Sequence, residues 1–146
     1  MLFRSERWKK FAADLVESGI VEFTGAVTRD RLPELFGRSH VLVFPALRDS
    51  GGSALLEAMA RGVPVLCLDW GGPGEMVDSE SGVKIPVGTR DETVVSFAAA
   101  LIRLKESPDL RLRLARAARE RAVKLFRWDA RAVLLQQTYE RLRSAK

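Results

Sequence analysis

The feature that most constrains this chain is a glycine-rich loop that joins two apolar segments through a short helix. The first apolar segment ends at Phe44, and the loop that follows contains Gly51 and Gly52. A helix is predicted over residues 53–61, because a glycine follows it and residues 64–68 are again apolar. Strand, loop, helix and strand in this order form one unit of a parallel sheet. Such sheets bind ligands at the carboxyl ends of their strands, where a helix N-terminus favours anions.

Apolar spacing and capping residues predict further helices and strands on both sides of this unit. Thr89 and Glu92, for example, form the capping-box pattern that begins a helix. The predicted elements are a helix over 6–18, a strand at 20–23, a helix capped by Thr28 or Asp30 and ending near 37, strands at 40–44 and 64–68 around the helix 53–61, a glycine-rich loop at 71–74, a strand at 83–87, and helices over 90–106, 108–126 and 128–143.

This alternation of strands and helices predicts an α/β fold. The expected architecture is a partial Rossmann-like parallel sheet of about four strands, flanked by helices and followed by a helical C-terminal tail. Residues 40–44 lack the apolar–polar alternation of a half-exposed strand, as expected if helices cover both faces of the sheet. Residues 1–146 are expected to form a single domain, since no linker or repeat interrupts them.

Cysteine and histidine usage limits the chemistry. Cys67 is the only cysteine and His40 the only histidine, so neither a zinc cluster nor an internal disulfide is predicted. Cys67 lies in an apolar segment and is interpreted as a small buried residue. The sequence shows no signal-peptide pattern and no apolar run long enough to span a membrane, so a cytoplasmic location is expected.

Much of the positive charge behind the net charge of +5 lies in residues 111–127. A basic face of this kind binds anionic partners in some proteins and is a solvated helix face in others. Aromatic residues do not interleave with these arginines and no nucleic-acid-binding motif is present, so nucleic acid is not expected as a partner. Peripheral contact with the inner face of a membrane stays open as an alternative.

Two carboxylates flank the N-terminus of the helix that follows the glycine-rich loop. Asp49 lies in the loop, and Glu57 lies on the second turn of the helix. A phosphate would bind the exposed backbone N–H groups, while the carboxylates accept hydrogen bonds from sugar hydroxyls. Gly51 and Gly52 allow a ligand to approach the backbone closely, because they have no Cβ. The residues by themselves therefore indicate a nucleotide-like anionic ligand at this edge.

Each of these residues also has a purely structural interpretation. Asp49 or Ser50 is a suitable helix N-cap. Glu57 precedes Arg61 by four residues, the spacing of an ion pair on a helix surface. Residues 71–74 equally suit a structural turn.

Several short motifs occur together in a characteristic order and spacing. They are Val21-Glu22-Phe23-Thr24-Gly25, Pro45, Leu56-Glu57-Ala58-Met59-Ala60, Gly62, Pro64-Val65, Gly71-Gly72, Glu75 and Gly82-Val83. In these motifs the chain resembles the retaining glycosyltransferases of the GT-B fold, group 1 (family 4), whose C-terminal domain binds the sugar donor. The similarity extends over nearly the whole chain.

The resemblance implies a role for each candidate residue. The family's pair of acidic residues falls on Asp49 and Glu57, so these are the implied catalytic residues. Glu57 would bind the ribose hydroxyls of the donor, and Asp49 would lie near the hydroxyls of its sugar. The implied donor is a nucleotide sugar of the UDP or GDP type, with no metal and no other cofactor. The residues implied to bind it are Ser50, Gly51, Gly52, Ser53, Gly72, Gly25 and Val27, the last two near the base.

The loop departs from the family pattern at two places. Asp49 is one methylene shorter than the usual glutamate, and Ser50-Gly51-Gly52 replaces Gly-Phe-Gly. The choice of sugar is therefore expected to differ from that of other members.

The resemblance covers only the later part of the family's donor-binding domain. Two strands of that domain, an arginine and a lysine for the diphosphate, and the whole acceptor domain have no counterpart in residues 1–146. These residues alone are therefore expected not to transfer sugar. The expected partners are a nucleotide sugar, an unassigned acceptor, and either a separate N-terminal chain or a second copy. The alternative is a non-catalytic module of the same ancestry that binds a nucleotide or a partner protein.

Overall fold

The computed structural model describes residues 5–49 and 52–144, which contain a parallel sheet of three strands. The strands are β1 (Leu42–Phe44), β2 (Val65–Leu68) and β3 (Gly82–Ile85), and they lie in the order β1-β2-β3. Phe44 lies opposite Cys67 in the parallel register of β1 and β2. The predicted α/β architecture is thus confirmed, with β2 in the middle of the sheet.

The fourth strand predicted at residues 20–23 is wrong. The N–H groups of Ile20 and Val21 instead donate to the carbonyl oxygen of Leu15, at 2.9 and 3.0 Å, and so close the preceding helix. No described strand pairs with this segment, and the side chain of Ile20 is 73% exposed. Apolar residues favour a strand only where neighbouring strands cover them, because β propensity depends on cross-strand packing.

The chain divides into two compact units, one ending at Glu34 and the other beginning at Leu35. In the first unit, the single predicted helix is interrupted and forms α1 (Ser5–Phe11) and α2 (Ala13–Glu17). Ala12 separates the two helices, because its backbone (φ −105°, ψ 23°) leaves the helical region.

Six more helices follow in the described residues, and most of them confirm the predicted positions. Thr89 and Glu92 make both hydrogen bonds of the capping box, with the Thr89 N–H donating to the Glu92 carboxylate at 2.9 Å. The helices are α3 (Leu32–Gly37), α4 (Ser53–Ala60), α5 (Gly71–Met76), α6 (Arg90–Glu106), α7 (Pro108–Phe126) and α8 (Trp128–Ser144).

The prediction of a loop at residues 71–74 is wrong, because these residues begin helix α5. The Gly74 N–H donates to the carbonyl oxygen of Trp70 at 3.3 Å, and the Val77 N–H donates to that of Pro73 at 3.1 Å. Pro73 is buried in the first turn, where the nitrogen of a helix has no intrahelical bond to lose. Glycine and proline disfavour a helix locally, so burial of this turn against the rest of the fold decides its conformation.

Helices cover both faces of the sheet, as predicted. Successive residues of β2 point to opposite faces, so Val65 and Cys67 contribute to one apolar cluster and Leu66 and Leu68 to the other. On the first face α4 and α7 supply the remaining buried residues, which are Leu55, Met59, Ala118 and Ala122, together with Val77. On the second face β3 and α6 supply Ile85, Phe97 and Ala100.

Cys67 is fully buried on β2, which confirms its interpretation as a small core residue. Burial raises the pKa of the Cys67 thiol to about 11, against a smaller lowering effect of Lys84. The thiol is therefore protonated at neutral pH and has no role as a nucleophile there.

Candidate functional site

The loop between β1 and α4 is held by Asp49. Its Oδ1 accepts a hydrogen bond of 2.6 Å from the backbone N–H of Gly52, the N-cap residue of α4. Gly52 is buried and has a positive φ of +41°, a conformation that suits glycine. The N-cap is therefore neither Asp49 nor Ser50, although the Asp49 carboxylate does order the entry to the helix. Ser50 and Gly51, two of the residues predicted to bind substrate, lie outside the described residues.

Glu57 lies on α4 with its side chain half-buried. Its carboxylate makes no hydrogen bond or ion pair with any described residue. The alternative interpretation as an ion pair with Arg61 is wrong. Nη1 of Arg61 instead donates to the main-chain oxygen of Glu57 at 3.0 Å, and the guanidinium carbon lies 5.7 Å from the centre of the Phe36 ring. Glu57 thus presents an acceptor group that residues 5–49 and 52–144 leave unused.

The two glycine-rich segments meet at this edge of the sheet. Gly71, at the start of α5, has a φ of +57°, and a Cβ on it would lie 3.4 Å from the main-chain oxygen of Asp49. At the other end of α5, Sδ of Met76 lies 3.3 Å from the position of a Cβ on Gly52. Both ends of α5 therefore lie close to the loop that Asp49 orders. Gly72 lies between them and is half-buried.

Ser53, Gly25 and Val27 complete the set predicted to bind substrate. Ser53 is exposed in the first turn of α4, beside Gly52. Gly25 and Val27 belong to the N-terminal unit, where Gly25 has a φ of +66° and open space around the position of a Cβ. The structure thus gathers Asp49, Gly52, Ser53, Glu57 and Gly72 within the second unit.

Sequence reasoning missed Lys84 on β3. Its Nζ forms an ion pair of 2.8 Å with Asp69, which follows β2, and donates to the main-chain oxygen of Gly74 at 3.3 Å. A lysine inside an apolar strand is the sequence signal that could have identified it. Through its bond to the Gly74 oxygen, Lys84 connects the first turn of α5 to strand β3.

The arginines of α7 differ sharply in their surroundings. Arg113, Arg116 and Arg119 are exposed, which agrees with a solvated basic face. Arg121 is partly buried instead and was not distinguished from the others by the sequence. Its Nε donates to the main-chain oxygen of Met76 at 2.8 Å, and its Nη2 donates to that of Glu75 at 3.3 Å.

Asp78 completes the contacts of Arg121. Nη1 of Arg121 lies 2.6 Å from Oδ2 of Asp78, and Oδ1 of Asp78 accepts hydrogen bonds from the N–H and the hydroxyl of Ser81. Burial raises the pKa of the Asp78 carboxyl, but the bonds from Ser81, the Arg121 guanidinium and the Glu80 N–H outweigh it. The pKa of Asp78 therefore lies below its ordinary value.

Neither a metal site nor a membrane-spanning helix emerges from this geometry. Among residues 5–49 and 52–144, no three histidine, cysteine or acidic side chains converge where a cation could bind. The helices in the same ranges are either too short or too polar to cross a bilayer.

A family model described as "Glycosyl transferases group 1" matches residues 4–121 of the chain. The chain belongs to the group 1 glycosyltransferases. Sucrose-phosphate synthase from Thermosynechococcus elongatus has the same fold, with a TM-score of 0.78 and 28% identity over 97% of this chain and 35% of that one. The predicted resemblance to the C-terminal part of a GT-B glycosyltransferase is confirmed.

Two curated relatives of this glycosyltransferase chain show how much of such a protein it represents. D-inositol 3-phosphate glycosyltransferase from Streptomyces bingchenggensis is 33% identical over 94% of this chain and 30% of its own length. Glycogen synthase from Mycobacterium tuberculosis is 33% identical over 80% of this chain and 28% of its own length. The chain thus spans about 30% of the length of the curated relatives it matches.

Proposed function

We propose that the carboxyl edge of the sheet binds the nucleotide-diphosphate sugar of a retaining glycosyltransferase. The observation that carries the proposal is the Glu57 carboxylate, which is half-buried on α4 without a partner among the described residues. Among the described residues no side-chain oxygen is both buried and without a hydrogen bond, so the Glu57 carboxylate is open to solvent and therefore to a ligand that donates to it.

The proposed roles are those that the resemblance to the family implies, and the chemistry of each group is compatible with them. Glu57 accepts hydrogen bonds from the ribose hydroxyls, and Asp49 lies near the hydroxyls of the transferred sugar while it orders the loop. The backbone N–H groups of Ser50, Gly51 and Ser53 are proposed to bind the sugar and the diphosphate, because the N-terminus of α4 favours negative charge. The Gly52 N–H already donates to Asp49, so Gly52 is proposed to contribute by its lack of a side chain. In the same proposal Gly72 contacts the donor from the first turn of α5.

No acceptor is assigned to this chain. The relatives described above are named for D-inositol 3-phosphate, glycogen and sucrose phosphate, so the shared family does not select one acceptor. The Asp49 side chain, which is shorter than a glutamate, and the small residues after it are the positions at which we expect the choice of donor sugar to be set.

The proposal is tested by titrating the chain with UDP and with GDP in a calorimeter at about 0.15 M salt, where long-range charge effects are screened. Glu57→Gln is expected to weaken binding of the preferred nucleotide at least tenfold. A charged hydrogen-bond acceptor contributes roughly 1.5–3 kcal/mol, and tenfold corresponds to about 1.4 kcal/mol.

The matched control reverses the two exposed arginines of α7, Arg116→Glu with Arg119→Glu. This double variant changes charge far more than Glu57→Gln does, yet it is expected to leave the affinity unchanged. Loss of nucleotide binding in the arginine variant, with normal binding in Glu57→Gln, would place the ligand on α7 and overturn the proposal.

A further inference from the structure

Helix α5 lacks the local features that stabilise a helix. It has six residues with the sequence Gly-Gly-Pro-Gly-Glu-Met, and no side chain caps its N-terminus. Glycine costs about 1 kcal/mol relative to alanine in a helix, and a single turn is unfavourable to nucleate. Contacts from elsewhere in the chain must therefore hold α5 in place.

Arg121 supplies the contacts at the C-terminal end of α5. The last carbonyl oxygens of a helix have no intrahelical donor, and Arg121 donates to two of them, on Glu75 and Met76. Its positive charge also complements the negative end of the helix dipole. The third bond, to Asp78, fixes the guanidinium plane by a charge-assisted contact across 43 residues of sequence.

This cluster differs from an ordinary surface ion pair. The Arg121 and Asp78 side chains are 25% and 40% exposed, whereas those of the Arg127–Asp129 pair are 60% and 64% exposed. Exposed ion pairs contribute between nothing and about 1 kcal/mol to stability, so the Arg127–Asp129 pair is expected to stabilise the fold only slightly. The Arg121 side chain is less exposed, and its planar guanidinium donates to three acceptors at once. A lysine cannot reproduce this arrangement.

The contacts of α5 lead directly into the candidate site. Arg121 binds the carbonyl oxygen of Met76, whose Sδ lies 3.3 Å from the position of a Cβ on Gly52. At the other end of α5, a Cβ on Gly71 would lie 3.4 Å from the carbonyl oxygen of Asp49. A shift of α5 would therefore move the loop that carries the Asp49–Gly52 hydrogen bond.

We propose that Arg121, with Asp78, is a positioning residue that holds α5 against the β1–α4 loop and so keeps the donor site in its binding geometry. This inference rests on the proposed function only for the effect on the donor site. The stabilisation of α5 by Arg121, called below the hold on α5, is measurable without a nucleotide.

Hydrogen exchange of single amides tests the hold on α5. In Arg121→Gln, the Gly74 and Val77 amides, whose bonds form α5, are expected to exchange at least tenfold faster. The Asp69 amide, which bonds to Ile85 in the sheet, is expected to keep its rate. Arg121→Lys is expected to restore part of the protection, since it keeps the charge but loses the fork. Arg119→Gln on the same helix is the matched control and is expected to change nothing.

The affinity for UDP or GDP tests the link to the site. Arg121→Gln is expected to weaken binding about tenfold at a temperature where circular dichroism shows the variant fully folded. A role in stability alone would raise exchange at all amides together and leave the affinity of the folded molecules unchanged. Either that pattern or unchanged exchange at Gly74 and Val77 overturns the inference.

The two proposals fail in different ways. If the unaltered chain binds neither nucleotide, or if Glu57→Gln binds normally, the proposed function fails. Faster local exchange in Arg121→Gln would then still establish the hold on α5. If Glu57→Gln loses binding and Arg121→Gln does not, the donor site stands and the positioning role is wrong.

Discussion

At the scale of single residues, the side chains at the carboxyl edge of the sheet differ in what already binds them. Asp49 is engaged by the Gly52 N–H, and Lys84 is engaged by Asp69. The Glu57 carboxylate has no such partner among the described residues, because Arg61 binds the Glu57 main chain instead. Spacing along a helix could not separate these cases, since it shows which side chains are near one another but not which bonds they make.

Gly82, the first residue of β3, is the residue whose replacement we expect to be most damaging. A Cβ there would overlap the main-chain oxygen of Val65 and lie 2.6 Å from Cγ1 of Val77, both buried. Gly82→Ala is therefore expected to lower the free energy of unfolding by about 2–3 kcal/mol, as overpacking does. Urea unfolding followed by circular dichroism measures the loss.

Gly37→Ala is the matched control for Gly82→Ala. A Cβ at Gly37 would meet no atom within 4 Å. The free energy of unfolding of Gly37→Ala is therefore expected to stay within about 0.5 kcal/mol of that of the unaltered chain. Equal stability of the two variants would contradict the close approach of β3 to β2 at this point.

At the scale of secondary-structure elements, tertiary contacts decide the conformation of α5 and of the turn after it. Lys84 holds the first turn of α5 and Arg121 holds the last, while Asp78 and Ser81 bond to each other across the turn. The long helices α6 and α7 need less outside support, because a capping box begins one and Ser107 with Pro108 begins the other.

The Asp78 carboxyl, in the turn that follows α5, is expected to make the free energy of unfolding depend on pH in the acid range. This carboxyl has a pKa below the ordinary value of 3.8 in the folded chain, so folding favours the ionised form. The resulting stability is fully present above pH 3.8 and is lost as the pH falls through the lower, folded-state pKa. Asp78→Asn is therefore expected to lower the free energy of unfolding at pH 7, and to lower it less at pH 3.

The size of the Asp78 effect is expected to stay near or below about 1 kcal/mol, because the side chain is 40% exposed and solvent screens it. Urea unfolding of both proteins at the two pH values measures it. Asp129→Asn, in the more exposed pair, is expected to change stability by a few tenths of a kcal/mol at most. A deficit in Asp78→Asn that is the same at both pH values would show that the carboxylate charge is not involved.

At the scale of the whole molecule, the chain matches the C-terminal part of a group 1 glycosyltransferase and spans about 30% of the length of its curated relatives. Its candidate site lies on one edge of a three-stranded sheet, with Ser53, Trp70 and Gly71 exposed there. Sugar transfer requires a cleft that excludes water and orients an acceptor, which an exposed edge does not provide by itself.

We therefore expect the 146 residues alone to bind a nucleotide without transferring sugar. The assay mixes the purified chain with UDP-sugars and GDP-sugars and simple alcohol acceptors, and measures both the released nucleotide diphosphate and the glycoside. The calorimetric titration of the same preparation with UDP and GDP shows whether the site is intact. Clear glycoside formation by the chain alone would contradict this expectation.

The sequence by itself determined the elements whose stability is local and the family to which they belong. The long helices were predictable from Thr89, Glu92, Ser107 and Pro108, because caps and apolar spacing act within one or two turns. The role of the acidic pair Asp49 and Glu57 is a prediction from its spacing and from the motifs around it.

Only the tertiary structure decided the features that depend on a distant partner. Residues 20–23, three of which are apolar, do not form a strand, since none of the described strands pairs with them. The glycine-rich segment after β2 is a helix because Pro73 is buried and Arg121 binds its end, 45 residues away from Met76 in sequence. Periodicity and capping describe interactions between near neighbours in the chain, whereas these outcomes depend on contacts that exist only once the sheet and α7 have packed together.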